Sequence, residues 1–89
     1  MAANSAIRGA HEVGAEGQPQ AAYHLQLARD QVGLAQRLTA DGQNVEAKRM
    51  LLRAQMDAEL AIALAGEGND RADAQELQQH ISDMRSSPL

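Results

Sequence analysis

Apolar positions recur along this chain at helical spacing, and glycine and proline cut the recurrence into four segments. They are "SAIRGAHEVGA", "PQAAYHLQLARDQVGLAQRLTA", "NVEAKRMLLRAQMDAELAIALA" and "DRADAQELQQHISDMRSS". Each reads as helix, because apolar side chains three and four residues apart share one face of a 3.6-residue turn. The first segment has Asn4 or Ser5 as its cap, sets Ile7, Ala10 and Gly14 on one side, and stops at "EGQP" (16–19). Pro19 suits the first position of the second helix, where its missing N–H breaks no intrahelical bond.

In the second helix Ala21, Leu25, Ala28, Val32, Ala35 and Thr39 form one stripe. Tyr23, Leu27, Leu34 and Leu38 form an adjoining one, so the apolar arc is wide enough for two neighbours. "ADGQN" (40–44) supplies a glycine stop and then an amide cap, and so short a connection makes the second and third helices antiparallel. The third helix carries a seam of small residues, Ala47, Leu51, Ala54, Ala58, Ala61 and Ala65, at alternating spacings of four and three. Such a seam lets two helix axes approach closely. Leu52, Met56 and Ala63 lie nearly opposite it, with Met50, Leu60 and Leu64 down one flank, so this helix has two apolar faces. The run "LAIALA" (60–65) covers every side of the cylinder. "GEGND" (66–70) favours a break or kink, since each glycine costs about 1 kcal/mol inside a helix and Asn69 or Asp70 suits a new cap. Leu77, Ile81 and Met84 mark a narrow stripe on the final helix.

The expected fold is all-α: an antiparallel hairpin of the second and third helices, with a short N-terminal helix and a C-terminal helix, as one domain over 1–89 frayed at 1–3 and 86–89. Its 89 residues are few for a self-sufficient core, since a domain of this size buries only about 60% of its unfolded-chain surface. A staple or partner is expected. With no cysteine, disulfides and thiol chemistry are excluded. One Tyr and no Phe or Trp leave no aromatic platform for single-stranded nucleic acid, and a formal charge of −4 argues against phosphate-backbone binding. The charge is uneven: Arg29, Arg37, Lys48, Arg49 and Arg53 fall in the middle, and Glu67, Asp70, Asp73, Glu76 and Asp83 towards the C-terminus. This asymmetry has two readings, a device for orienting one chain against another or simply a solvated surface. No segment approaches the ~20 apolar residues of a membrane span.

Candidate chemistry is sparse. Glu76 and His80, one turn apart, offer two metal ligands, but a site needs three or four, and neither His11 nor His24 completes one by sequence. His24 falls within the apolar arc and reads as a packed or rim histidine. Asp57 and Glu59 point about 200° apart on a helix and cannot share a substrate. Arg49 and Arg53 read as partners of Glu46 and Asp57 on their own face. No catalytic residue, no cofactor site and no metal site is expected, and the chain does not read as an enzyme. Leu34, Ala35, Leu38, Ala47, Leu51 and Ala54 follow the order of a tetratricopeptide-type helix pair, but no second copy occurs at that repeat's period of about 34 residues. Small residues at a helix crossing account for the pattern.

The alanine-bearing first helix, "AAYHLQLARDQ", the "ADGQN" turn and "LLRAQMDAELAIALA" together resemble a bacterial family of unknown function. That family occurs in cell-envelope lipoproteins and exported proteins, sometimes ahead of a peptidoglycan-binding OmpA-like domain. The resemblance covers roughly 11–65 and implies an exported, envelope-associated or periplasmic setting, with no catalytic residues to carry over. This sequence departs from the family in lacking a signal segment with its lipidated cysteine and an OmpA-like domain, so anchoring and peptidoglycan contact do not follow for it. The function expected is a non-catalytic interaction or assembly module. It is expected to form a homo-oligomer, first of all a dimer, or to bind another envelope protein, without nucleic acid and without inserting into the membrane. Leu52, Met56, Ala58, Leu60, Ala61, Ile62, Ala63, Leu64 and Ala65 are the expected interface. The alternatives are an apolar-ligand or metal carrier using His24 or the Glu76/His80 pair, and a cytoplasmic tetratricopeptide-like adaptor.

Overall fold

The structure, a computed structural model, describes the backbone of residues 2–86 and the side chains of residues 2–83. It is all-helical: α1 (Ala2–Glu12), a short 3₁₀ turn (Ala15–Gly17), α2 (Pro19–Ala40) and α3 (Asn44–Ser86). α1 begins ahead of the expected caps at Asn4 and Ser5, and Ala3 is already buried. Met1 and residues 87–89, part of the ends expected to fray, lie outside the described residues. α1 also stops earlier than expected. Gly14 takes φ 78°, a left-handed conformation that favours glycine, so it turns the chain instead of extending the apolar side of α1.

Pro19 opens α2 after an extended Gln18, as its fixed φ and missing donor dictate. The far end of α2 closes in a Schellman motif: Gly42 N–H donates to the Thr39 carbonyl (3.0 Å) and Gln43 N–H to that of Leu38 (2.8 Å). Gly42, at φ 78°, makes the turn. α3 starts at once, with the Gln43 carbonyl accepting the Ala47 N–H (3.0 Å); Asn44, expected as the cap, is already the first helical residue. The hairpin is therefore antiparallel.

The core between its arms is built of alanine. Ala21, Leu25, Ala28, Val32 and Ala35 of α2 are buried against Ala47, Ala54, Ala58, Ala61 and Ala65 of α3, with Leu51 half-buried beside them. Thr39, expected in the same stripe, is exposed, and its hydroxyl donates to the Ala35 carbonyl (2.9 Å). α1 packs onto the hairpin through small residues. Ala3 joins Ala28, Val32, Ala54 and Ala58, while Ala10 joins Ala21, Leu25, Ala61 and Ala65, and Ile7 packs against both groups. On α1, Gly9 lies over Ile62, whose Cδ1 would stand 3.4 Å from an added Cβ.

The expected break at "GEGND" does not occur. α3 runs unbroken for 43 residues through Gly66 and Gly68, about 65 Å at 1.5 Å per residue, so the third and fourth predicted helices are one. Helix propensity is overridden by contacts from outside the helix. The Gln18 side-chain amide lies on Gly68 where a Cβ would stand, and the Asn69 amide donates to the Val13 carbonyl (3.4 Å). The molecule is correspondingly drawn out, with extents of 73 × 17 × 14 Å.

Candidate interaction surface

The seam that faces α1 and α2 and the stripe of Met56 and Ala63 fall on opposite sides of α3, since Met56 and Ala58 project about 200° apart. α1 lies on the Ile62 side and α2 on the Asp57 side, so among the described residues the outer stripe is met at its edges, Leu52 near Ala2 and Ala3 of α1 and Leu60 near Pro19 and Tyr23 of α2. Leu52 is 59%, Met56 61% and Leu60 43% exposed, and Ala63 is exposed as well. The expectation that α3 has two apolar faces holds, and the chain's own helices cover only one of them.

The expected interface therefore divides. Ala58, Ala61 and Ala65 are wholly buried in the chain's own core. Close packing against α1 and α2 leaves them no surface to offer. Ile62 and Leu64 are half-buried, Ile62 beneath α1. Leu52, Met56, Leu60 and Ala63 remain outside. Leu60 also shares a shallow groove with Pro19, Gln20, Tyr23, His24 and Leu64 across the α2–α3 crossing. Tyr23 is 62% exposed, with its ring edge-on to His24 at 5.2 Å. Sequence periodicity placed Tyr23 on an apolar stripe of α2, but its closeness to Leu60 depends on the register between helices.

Beyond Asn69, α3 continues as an arm. Every residue from 70 to 83 is exposed, and the arm carries Leu77 (60% exposed) and Ile81 (42%). Met84, expected in the same stripe, lies outside the residues whose side chains are described. An isolated helix of this length is marginal in water, because helical stability in proteins comes mostly from packing of an amphipathic face.

Polar side chains link the helices at several points. His24 Nδ1 donates to Asp57 Oδ1 (3.0 Å), joining α2 to α3 at a part-buried position. Asp57 thus pairs across the hairpin, in place of the expected bond to an arginine on its own helix face. His11 Nδ1 donates to Glu16 Oε1 (2.7 Å), as does Arg29 (3.0 Å). These donors, His11 foremost, together with the residue's own backbone N–H, hold the Glu16 carboxyl at about 2. His11, His24 and the Glu76/His80 pair sit at separate places, and among the described residues no three His, Asp or Glu side chains group as a metal site. No helix among those residues is long and apolar enough to cross a membrane.

A family model described as a domain of unknown function (DUF4398) matches residues 1–77, the three-helix body and the first part of the arm. No curated protein and no solved structure matches the chain.

Proposed function

The chain belongs to this family of unknown function, and we propose that it acts without catalysis, as an interaction module that self-associates through the outer face of α3. One observation carries the reading: the stripe of Leu52, Met56, Leu60 and Ala63 is apolar, contiguous and exposed. Burying such side chains stabilises by about 1.5–3 kcal/mol each when complete. The resemblance to exported envelope proteins supports a periplasmic or envelope setting, with the outer face of α3 meeting a second copy or another envelope protein.

Sedimentation equilibrium over a dilution series tests the association. A dimer that dissociates on dilution is expected, and Met56→Glu should shift it to monomer while leaving the monomer's melting unchanged, because a charge is tolerated at an exposed site and costly in an apolar interface. A protein that stays monomeric at millimolar concentration refutes the reading. A second reading, an apolar-ligand carrier, rests on the groove between Tyr23, His24, Leu60 and Leu64. It requires a rise in melting temperature with small apolar ligands, and a flat thermal-shift screen removes it.

A further inference from the structure

The hairpin has a second apolar side. α1 covers the edge that holds Ile62, whereas the opposite edge, lined by Tyr23, Leu27 and Leu34 of α2 and by Met50, Leu60 and Leu64 of α3, carries no helix among the described residues. Tyr23 is 62%, Leu34 41% and Leu60 43% exposed, and the other three are half-buried. Three helices thus fill three places of a bundle and leave the fourth open, although an all-α domain ordinarily buries such a side against a further helix.

The chain's own arm has the form that place requires. Residues 70–83 are exposed throughout; Ala74, Leu77 and Ile81 share one side at spacings of three and four, while Glu76 and Asp83 project away from it. Gly66 and Gly68 stand between arm and body. Gly66 has no heavy atom within 4 Å of an added Cβ, so close packing does not account for it, and a glycine inside a helix disfavours continuity about fivefold against alanine. Gly68 falls on the side of α3 that faces α2, where the Gln18 amide lies. A cleft lined by Gln20, Leu64, Glu67 and Arg71 opens beside it. This is the side towards which α3 must bend to reach the open place. Asn69 and Asp70 follow, residue types that cap a new helix.

We propose that residues 66–69 are a hinge, about which the arm folds back onto the Tyr23 and Leu60 side of the hairpin as its fourth helix. Bundle helices are joined by about two to eight residues, so this connection is long enough. Residue 70 then returns level with Ala65, and Leu77 comes level with Ala58, within a turn of Leu60 and the groove that Leu60 shares with Tyr23. The arm spans about 20 Å, shorter than α2. Two contacts hold the straight form, Gln18 on Gly68 and the Asn69 amide on the Val13 carbonyl (3.4 Å). The folded form exchanges them for burial of Leu77 and Ile81, and leaves Glu76 and Asp83 in water. Self-association is a separate matter, because Met56 and Ala63 lie outside this groove.

Nitroxide labels on Arg37→Cys and Gln79→Cys, both exposed positions in a chain with no cysteine of its own, separate the two forms by double electron–electron resonance. The straight form sets them about 50 Å apart and the folded form about 20 Å. In excess unlabelled chain, a population at the shorter distance is expected beside the longer one. Gly66→Ala should lower the ratio of short to long about fivefold, and Leu77→Asp with Ile81→Asp should abolish the short distance, since neither carboxylate tolerates the apolar groove. A long distance alone, a short one that vanishes on dilution with unlabelled chain, or a short one indifferent to these substitutions overturns the hinge. Each result reads the same whether the chain is a monomer or a dimer.

Discussion

Glu16 sits where α1, the 3₁₀ turn and α2 meet, and it accepts from His11 and Arg29 at once. Its pKa falls from 4.5 to about 2 on folding. Lowering a folded-state pKa adds stability that is complete above the unfolded value and is lost as pH drops through the folded one. Glu16→Gln should therefore be less stable than the native chain at neutral pH, with the two converging as pH falls from 4.5 to 2; urea titrations across that range measure it. Steric effects give a sharper contrast on α3. Ala61 is wholly buried and Ala63, two residues on, is exposed. Ala61→Leu should cost about 1–3 kcal/mol by overpacking, and Ala63→Leu should leave the monomer's melting unchanged. Equal melting of the two variants would show that the alanine seam is not closely packed.

The elements differ in how far local sequence decides them. Gly42 is needed for its φ of 78°, and Gly42→Ala should lose about 1–2 kcal/mol to left-handed strain. Gly66 is helical with no heavy atom within 4 Å of an added Cβ, so Gly66→Ala should gain about 1 kcal/mol; opposite shifts in melting temperature are expected. That contrast also explains what was legible beforehand. The buried stripes of α2 and α3 and the antiparallel turn follow from local periodicity and one left-handed glycine, and the structure reproduces them almost residue for residue. The break at Gly66–Asp70 was misread because continuity there depends on Gln18 and Val13, some fifty residues away in sequence. The His24–Asp57 bond, 33 residues apart, was invisible for the same reason. Within the candidate surface, Leu52, Met56 and Ala63 were legible as a face opposite the seam. Their exposure depended on where α1 docked, and no local pattern encodes that.

At the scale of the whole molecule, the alanine core has a thermal consequence. Leu25 is the one large side chain among the described residues that is wholly buried; the other wholly buried residues are alanines, and Ile7, Leu51, Ile62 and Leu64 are buried only in part, so folding removes little apolar surface from water per residue. The heat capacity of unfolding follows that surface. Scanning calorimetry on the dilute monomer should give less than the usual ~12–15 cal/mol/K per residue, and hence a shallow stability curve. Met56, Leu60, Leu77 and Ile81, large apolar side chains that folding leaves exposed, lie on the outer side of α3. Burial of Met56 and Leu60 would occur on pairing, and apolar burial weakens on cooling. On the proposed self-association the temperature-sensitive step would be assembly: cooling should separate two folded chains well before it unfolds either one.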